Sequence, residues 1–100
     1  MTDFATSMDR LLNQVRVWEQ PRWQTDGRND RAYALVQLLA DLGADAEGHP
    51  RRPVPREHDL ILPDQLRVVA DDLLAAKPPA PVLEEAAAAV DDLRQTINRS

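Results

Sequence analysis

The sequence contains no cysteine. Disulfides, thiolate metal sites and cysteine nucleophiles are therefore excluded, and a chain of this kind suits a reducing compartment. A secretory signal begins with a basic and then an apolar stretch, whereas the first ten residues here include Asp3 and Asp9. The longest purely apolar run, residues 86–90, is far shorter than the roughly 20 residues that span a membrane. We expect a cytoplasmic protein with no membrane contact.

Residue types that usually carry catalysis are scarce. The only serines are Ser7 and Ser100, and the only histidines are His49 and His58. Neither serine lies in the Gly-x-Ser-x-Gly pattern of a nucleophile elbow. Neither histidine has a glutamate three positions before it, as a di-iron helical bundle requires. We therefore predict no enzymatic activity, no metal site and no cofactor.

The net charge of −5 comes entirely from the second part of the chain. Residues 1–56 hold eight arginines and eight acids, whereas residues 57–100 hold four bases and nine acids. A nucleic-acid partner usually leaves a net basic surface, so such a partner is not favoured. Two acidic pairs, Asp71–Asp72 and Asp91–Asp92, would point about 100° apart on a helix and would not chelate a metal. We interpret them as solvated helix faces.

Apolar residues recur every three or four positions in four stretches, a pattern that predicts amphipathic helices. The predicted helices cover about 3–20, 28–43, 60–77 and 81–98. Thr2 is expected to cap the first helix, Pro21 to end it, and Gly43 to end the second in a left-handed conformation. Residues 1–100 are therefore predicted to form one all-α domain, a small four-helix bundle.

A long Pro/Arg-rich connection, about residues 44–59, joins the second and third predicted helices. Its proline-dense part, residues 50–56, would extend to about 20 Å as polyproline II, which is nearly the length of a helix. The connection could therefore cross the bundle and start the third helix parallel to the second. Shorter connections favour antiparallel neighbours for helices 1 and 2 and for helices 3 and 4.

This connection admits three functional interpretations. It is a stiff linker, a polyproline ligand with Pro-x-x-Pro at Pro50–Pro53, or an anion site formed by Arg51, Arg52 and Arg56. These three arginines form a secondary candidate binding site. The favoured interpretation is that they lie against the protein's own acidic residues 57–100.

All four aromatic residues lie in the first third of the chain, with arginines between the later ones. The candidate partner-binding residues are Arg16, Arg22, Trp23, Arg28 and Arg31. Tryptophan and arginine dominate binding hot spots, and they also stack on bases and pair with phosphates. The competing interpretation is structural: Trp18 continues the apolar stripe of the first helix, and Trp23 closes the end of the bundle.

Several large apolar residues lie off the predicted core stripes: Val17 in the first helix, and Leu60, Ile61, Val68 and Leu74 in the third. Self-association or a protein partner would bury such residues. We therefore predict a non-catalytic protein-interaction or regulatory accessory protein, with a homodimer favoured over a different partner. The alternative is a nucleic-acid- or anion-binding module that uses the Arg/Trp residues at 16–31.

Overall fold

α-Helices form most of the computed structural model, which describes residues 3–99. They are α1 (Phe4–Val15), α2 (Gln20–Gln24), α3 (Arg28–Glu47), α4 (Leu62–Ala75) and α5 (Ala80–Arg99). Single 3-10 turns occupy Thr25–Gly27 and Asp59–Ile61, and no strand occurs among the described residues. The prediction of a small all-α bundle is confirmed.

The first helix is shorter than predicted at its C-terminal end. Asp3 caps its start, because the Asp3 Oδ1 accepts a 2.8 Å hydrogen bond from the amide of Thr6. Thr2, the expected cap, lies outside the described residues. α1 ends at Val15, and Pro21 lies in the first turn of α2 instead of terminating the previous helix. Proline favours the first turn of a helix because its missing N–H would have no partner there.

Gly43 lies inside α3, so the prediction that it ends the second helix is wrong. The left-handed C-terminal residue is Gly48, with φ 71°, whose amide bonds to carbonyls of the last turn. Gly43 is buried where α3 meets α4, and a β-carbon built on it would lie 3.8 Å from the Leu73 Cα. Either glycine could end a helix by its conformational freedom, and packing against α4 keeps Gly43 helical.

After α3 the chain turns back along that helix. We call residues 49–58 the strap. The side chain of Gln37 donates to the Arg52 carbonyl at 3.0 Å and accepts from the Val54 amide at 2.8 Å. The Tyr33 hydroxyl also donates to the Val54 carbonyl. These bonds satisfy backbone groups of the strap and hold its middle against α3.

Asp59 follows the strap as a buried carboxylate that joins several elements. It accepts hydrogen bonds from Gln20 of α2 at 2.5 Å and from Asn29 of α3 at 3.1 Å. The guanidinium of Arg56 lies 3.8 Å away. Because Asp59 opens the turn that leads into α4 and bonds to Asn29, α4 starts beside the start of α3. Gly43 lies beside Leu73 towards the other end of both helices, so α4 runs parallel to α3.

The core lies between four long helices, with α1 and α3 each packed on both α4 and α5. Its largest fully buried side chains include Trp23, Leu11, Leu39, Leu62, Leu66 and Leu73. The expectation that the first and second predicted helices, and the third and fourth, are packed neighbours is wrong, because neither α1 with α3 nor α4 with α5 is a main helix contact among the described residues. The most extensive contacts join α3 with α4 and α1 with α5. A 2.7 Å hydrogen bond from Gln14 to Asn98 links α1 and α5 near their C-terminal ends.

Gly43 inside α3 and Gly48 at its C-terminal cap predict opposite effects of substitution by alanine. Gly43→Ala should raise the free energy of unfolding by about 0.5–1 kcal/mol, because the new methyl finds ordinary contact space and the unfolded chain loses freedom. Gly48→Ala is the matched control and should lower it by roughly 1 kcal/mol, because an L-residue is strained at positive φ. Urea denaturation measures both, and loss of stability in Gly43→Ala would contradict the close packing described for α3 and α4.

Candidate protein-interaction surface

Four large apolar side chains are exposed on or immediately before α4. Their exposed fractions are 49% for Leu60, 41% for Ile61, 56% for Val68 and 38% for Leu74. Val17, in the turn after α1, is 73% exposed. The prediction that these five residues lie outside the core is confirmed.

α4 presents apolar residues on two opposite sides. Its inner side buries Leu62, Leu66, Ala70 and Leu73 in the core. On the other side Ile61, Val68 and Ala75 recur every seven residues and therefore follow one line along the helix. We define the outer face of α4 as the exposed residues Leu60, Ile61, Asp64, Arg67, Val68, Asp71, Asp72, Leu74 and Ala75. A helix that is apolar on both sides is typical of one covered on both sides.

Carboxylates alternate with apolar residues along this face. Asp64 and Asp71 fall between Ile61, Val68 and Ala75 at spacings of three and four. Asp72 is also exposed and lies beside them, on the flank of the same face. None of the three carboxylates forms an ion pair within residues 3–99.

Sequence reasoning treated the Asp71–Asp72 pair as a solvated face and did not consider Asp64. The sequence signal that links Asp64 and Asp71 to the exposed apolar residues is their spacing. Asp64 and Asp71 are seven residues apart, in step with Ile61 and Val68. They therefore belong to the same line of the helix as the exposed apolar residues.

The two tryptophans close the corner where α1, α2 and α3 meet. The ring centroids of Trp18 and Trp23 lie 4.9 Å apart at an interplanar angle of 66°. Trp18 is 5% exposed and Trp23 only 1%. The guanidinium carbons of Arg22 and Arg28 lie 5.2 and 5.1 Å from the centre of the Trp18 ring. The corner is therefore an aromatic pair flanked by two cation–π contacts.

This corner does not present all the candidate binding residues to solvent. Trp23 and Arg28 are buried, and Arg28 donates a 3.4 Å hydrogen bond to the Arg22 carbonyl. Arg16, Arg22 and Arg31 are exposed, but Arg16 follows the end of α1 and Arg31 lies beside α5. Of the five, the fold brings Arg22 and Arg28 together around Trp18. Trp23 offers no contact area to a partner, and the structural interpretation of this residue fits its burial.

The arginines of the strap have partners in α3. Arg51 binds Asp45 with two hydrogen bonds, from Nε at 3.0 Å and from Nη2 at 2.6 Å. Arg56 binds Asp30 at 2.9 Å. Among the described residues, the one ion pair between these arginines and the acidic second half is the 3.8 Å approach of Arg56 to Asp59. The expectation that the strap pairs with the acidic second half is therefore wrong for its shortest ion pairs, because the strap folds back onto α3.

Arg52 is exposed and forms no ion pair among the described residues. The three arginines of the secondary candidate site therefore do not converge on one point. Two of them hold the strap to α3. Pro50 and Pro53 are exposed, but the neighbouring backbone of Arg52 and Val54 is bonded to Gln37. That arrangement leaves less free backbone for a groove-type polyproline receptor.

A groove of about 620 Å³ lies between the starts of α1 and α5. Phe4, Leu83 and alanines form its floor, and Asp3 and Glu84 lie at its edge. Phe4 is buried and Leu83 is partly buried, so the groove offers less exposed apolar surface than α4 does. It is the weaker of the two apolar candidates.

The histidines take local structural roles. His49 Nδ1 lies 3.5 Å from a carboxylate oxygen of Glu47. His58 Nδ1 accepts a 3.2 Å hydrogen bond from the Leu60 amide and so caps the turn before α4. Within residues 3–99 no group of three or more acidic or histidine side chains is placed to hold a metal ion.

Comparisons with protein families, with curated proteins and with solved structures find no match to this chain. Of the helices within residues 3–99, none has the length and apolar character needed to cross a bilayer. The exposed side of α4, with four large apolar side chains, is the most distinctive surface of the described residues.

Truncating Trp23 tests whether this residue belongs to the core. Trp23→Ala should lower the free energy of unfolding by about 3–5 kcal/mol, because it empties a fully buried site. The neighbouring exposed substitution, Arg22→Ala, should cost less than about 1 kcal/mol. Guanidinium denaturation followed by circular dichroism measures both. Similar, small effects of the two substitutions would contradict the assignment of Trp23 to the core and would again make it a candidate for contact with a partner.

The ion pair at the start of the strap predicts a specific titration. Hydrogen bonding from Arg51 lowers the pKa of Asp45 below its ordinary value of 3.8. A lowered folded-state pKa means that the pair stabilises the fold above that ordinary value and that its contribution is lost as the pH falls through the lowered pKa. Arg51→Gln should raise the pKa of Asp45 towards its ordinary value, whereas the adjacent Arg52→Gln should leave it unchanged. Carboxyl NMR titration measures this pKa, and equal shifts in both variants would contradict the assigned pair.

Proposed function

We propose that this protein is a non-catalytic helical interaction or regulatory protein that binds another protein through the outer face of α4. The observation that carries the proposal is the exposure of Leu60, Ile61, Val68 and Leu74 together on this face. Fully burying a side chain of this size contributes about 1.5–3 kcal/mol, so covering the face offers a substantial driving force. Exposed apolar side chains that share one face and are bordered by polar residues are typical of protein contact sites.

The size of the face suggests a moderate affinity. A helix of 14 residues is about 21 Å long, at 1.5 Å per residue. One such face buries less than the roughly 800 Å² per partner of a standard stable interface. A helix laid along it fits the helix-in-groove mode of recognition. We therefore propose that the outer face of α4 forms a reversible regulatory contact and not a permanent assembly.

A second candidate function is anion or nucleic-acid binding by Arg16, Arg22 and Arg31. Its support is that these exposed arginines have no ion-pair partner within residues 3–99. The net charge of −5 weakens it. Binding of generic DNA that falls steeply with salt would favour this function over the first.

Photo-crosslinking from the outer face tests the proposed function. A benzophenone side chain at position 68, in place of Val68, should form adducts with protein in extracts of cells that make the chain. The same group in place of Gln95, which is exposed on α5, should form few. An adduct near twice the 11.2 kDa chain mass identifies a second copy, and any other mass identifies a different chain. Equal adducts from both positions, or none from position 68, would contradict the proposal.

A further inference from the structure

We infer that the outer face of α4 binds a basic amphipathic helix of a different chain. The inference rests on the proposed function and names the chemistry of the partner. Three features of this face carry it: the spacing of its apolar residues, its unpaired carboxylates, and the poor fit of the face to a second copy of itself.

The spacing predicts that the partner is a helix. Ile61, Asp64, Val68, Asp71 and Ala75 follow one another at intervals of three and four residues. This is the repeat that one helix presents to another along a shared line of contact. An extended peptide, with a period of two residues, would meet the alternating groups out of step.

The charges predict that the partner is basic. Residues 60–75 contain Asp64, Asp71 and Asp72 on the exposed side against the single base Arg67, so the face has a net charge of −2. Apolar contact with Val68 would remove water from Asp64 and Asp71, one turn away on either side. Desolvating a carboxylate without a cation is strongly unfavourable. Lysine or arginine at seven-residue intervals on the partner would offset that cost and supply charge-assisted hydrogen bonds.

A second copy of the same face fits these charges poorly. In a parallel helix pair Asp64 would face Asp64, and Asp71 would face Asp71. In an antiparallel pair centred between Asp64 and Asp71, each of these aspartates would face the other. Arg67 lies on the flank and supplies one cation against three carboxylates. The charge pattern therefore favours a different chain over the homodimer expected from the sequence.

The partner's apolar residues have a defined place. Leucines at spacings of three and four would cover Ile61 and Val68, with Leu60 and Leu74 closing one side. The partner thus combines an apolar stripe with flanking bases. Attraction between opposite charges would also select the orientation of the partner helix on α4 and would discriminate against acidic helices.

Fluorescence polarisation with two designed peptides tests this inference. Both peptides are helices of about 18 residues, slightly longer than α4, with leucines at alternating spacings of three and four. One carries lysines beside the leucines, and the other carries glutamates at the same positions. The lysine peptide should bind with a Kd on the order of 10 µM at low salt, and the glutamate peptide should not bind measurably.

Charge reversal on α4 provides the matched variants. Asp64→Lys combined with Asp71→Lys should weaken binding of the lysine peptide at least about tenfold. Asp9→Lys combined with Glu84→Lys makes the same change in net charge on exposed positions of α1 and α5. This control should keep the affinity within about twofold. Circular dichroism checks that both variants stay folded.

Four outcomes would overturn the inference. Equal binding of the two peptides, or an equal loss in the Asp9/Glu84 control, would show that the face does not select a basic helix. A wild-type dimer that Val68→Glu converts to a monomer, measured by light scattering, would make a second copy the occupant while leaving the proposed function standing. Absence of photo-adducts from position 68 would overturn both.

Discussion

The attachment of the strap to α3 is the constraint on which the arrangement of the helices depends. Gln37 and Tyr33 bind backbone groups of the strap, and Asp59 binds Gln20 and Asn29 where the strap ends. These contacts return the chain to the start of α3, so that α4 runs parallel to its predecessor. A short connection would instead have started α4 at the other end. The path of the strap therefore determines which side of α4 meets the core and which side is left exposed.

A stretch that resembles a binding site in sequence thus has a structural role. The ion pairs of Arg51 and Arg56 are exposed, and such pairs contribute little to stability. The partly buried hydrogen bonds of Gln37 and Tyr33 and the buried carboxylate of Asp59 fix the path more firmly. The prolines of the strap limit the conformations of the unfolded chain and keep the segment extended. In contrast, α4 has no unusual composition, and its outer face becomes recognisable only from which side the fold buries.

Local periodicity predicted the helices well because an amphipathic stripe is encoded within each segment. It also identified the exposed residues Val17, Leu60, Ile61, Val68 and Leu74, which lie off those stripes.

Helix ends were harder to predict, since Gly43 and Gly48 both suit a left-handed cap and only contact with Leu73 distinguishes them. The burial of Trp23 depends on its meeting Trp18 across a turn, which no periodic pattern encodes. The partners of Arg51 and Arg56 likewise depend on the direction in which the strap leaves α3. Helix pairing is a property of the whole chain, so short connections alone predicted it wrongly.

The outer face of α4 combines exposed leucine, isoleucine and valine with carboxylates that form no ion pair within residues 3–99. Both features favour contact with a basic amphipathic helix. Amide NMR shift mapping with the lysine peptide tests this account most directly. We expect the largest shifts in residues 60–75, with little change in α5. Shifts concentrated instead at residues 16–31, or in the groove between α1 and α5, would contradict the account.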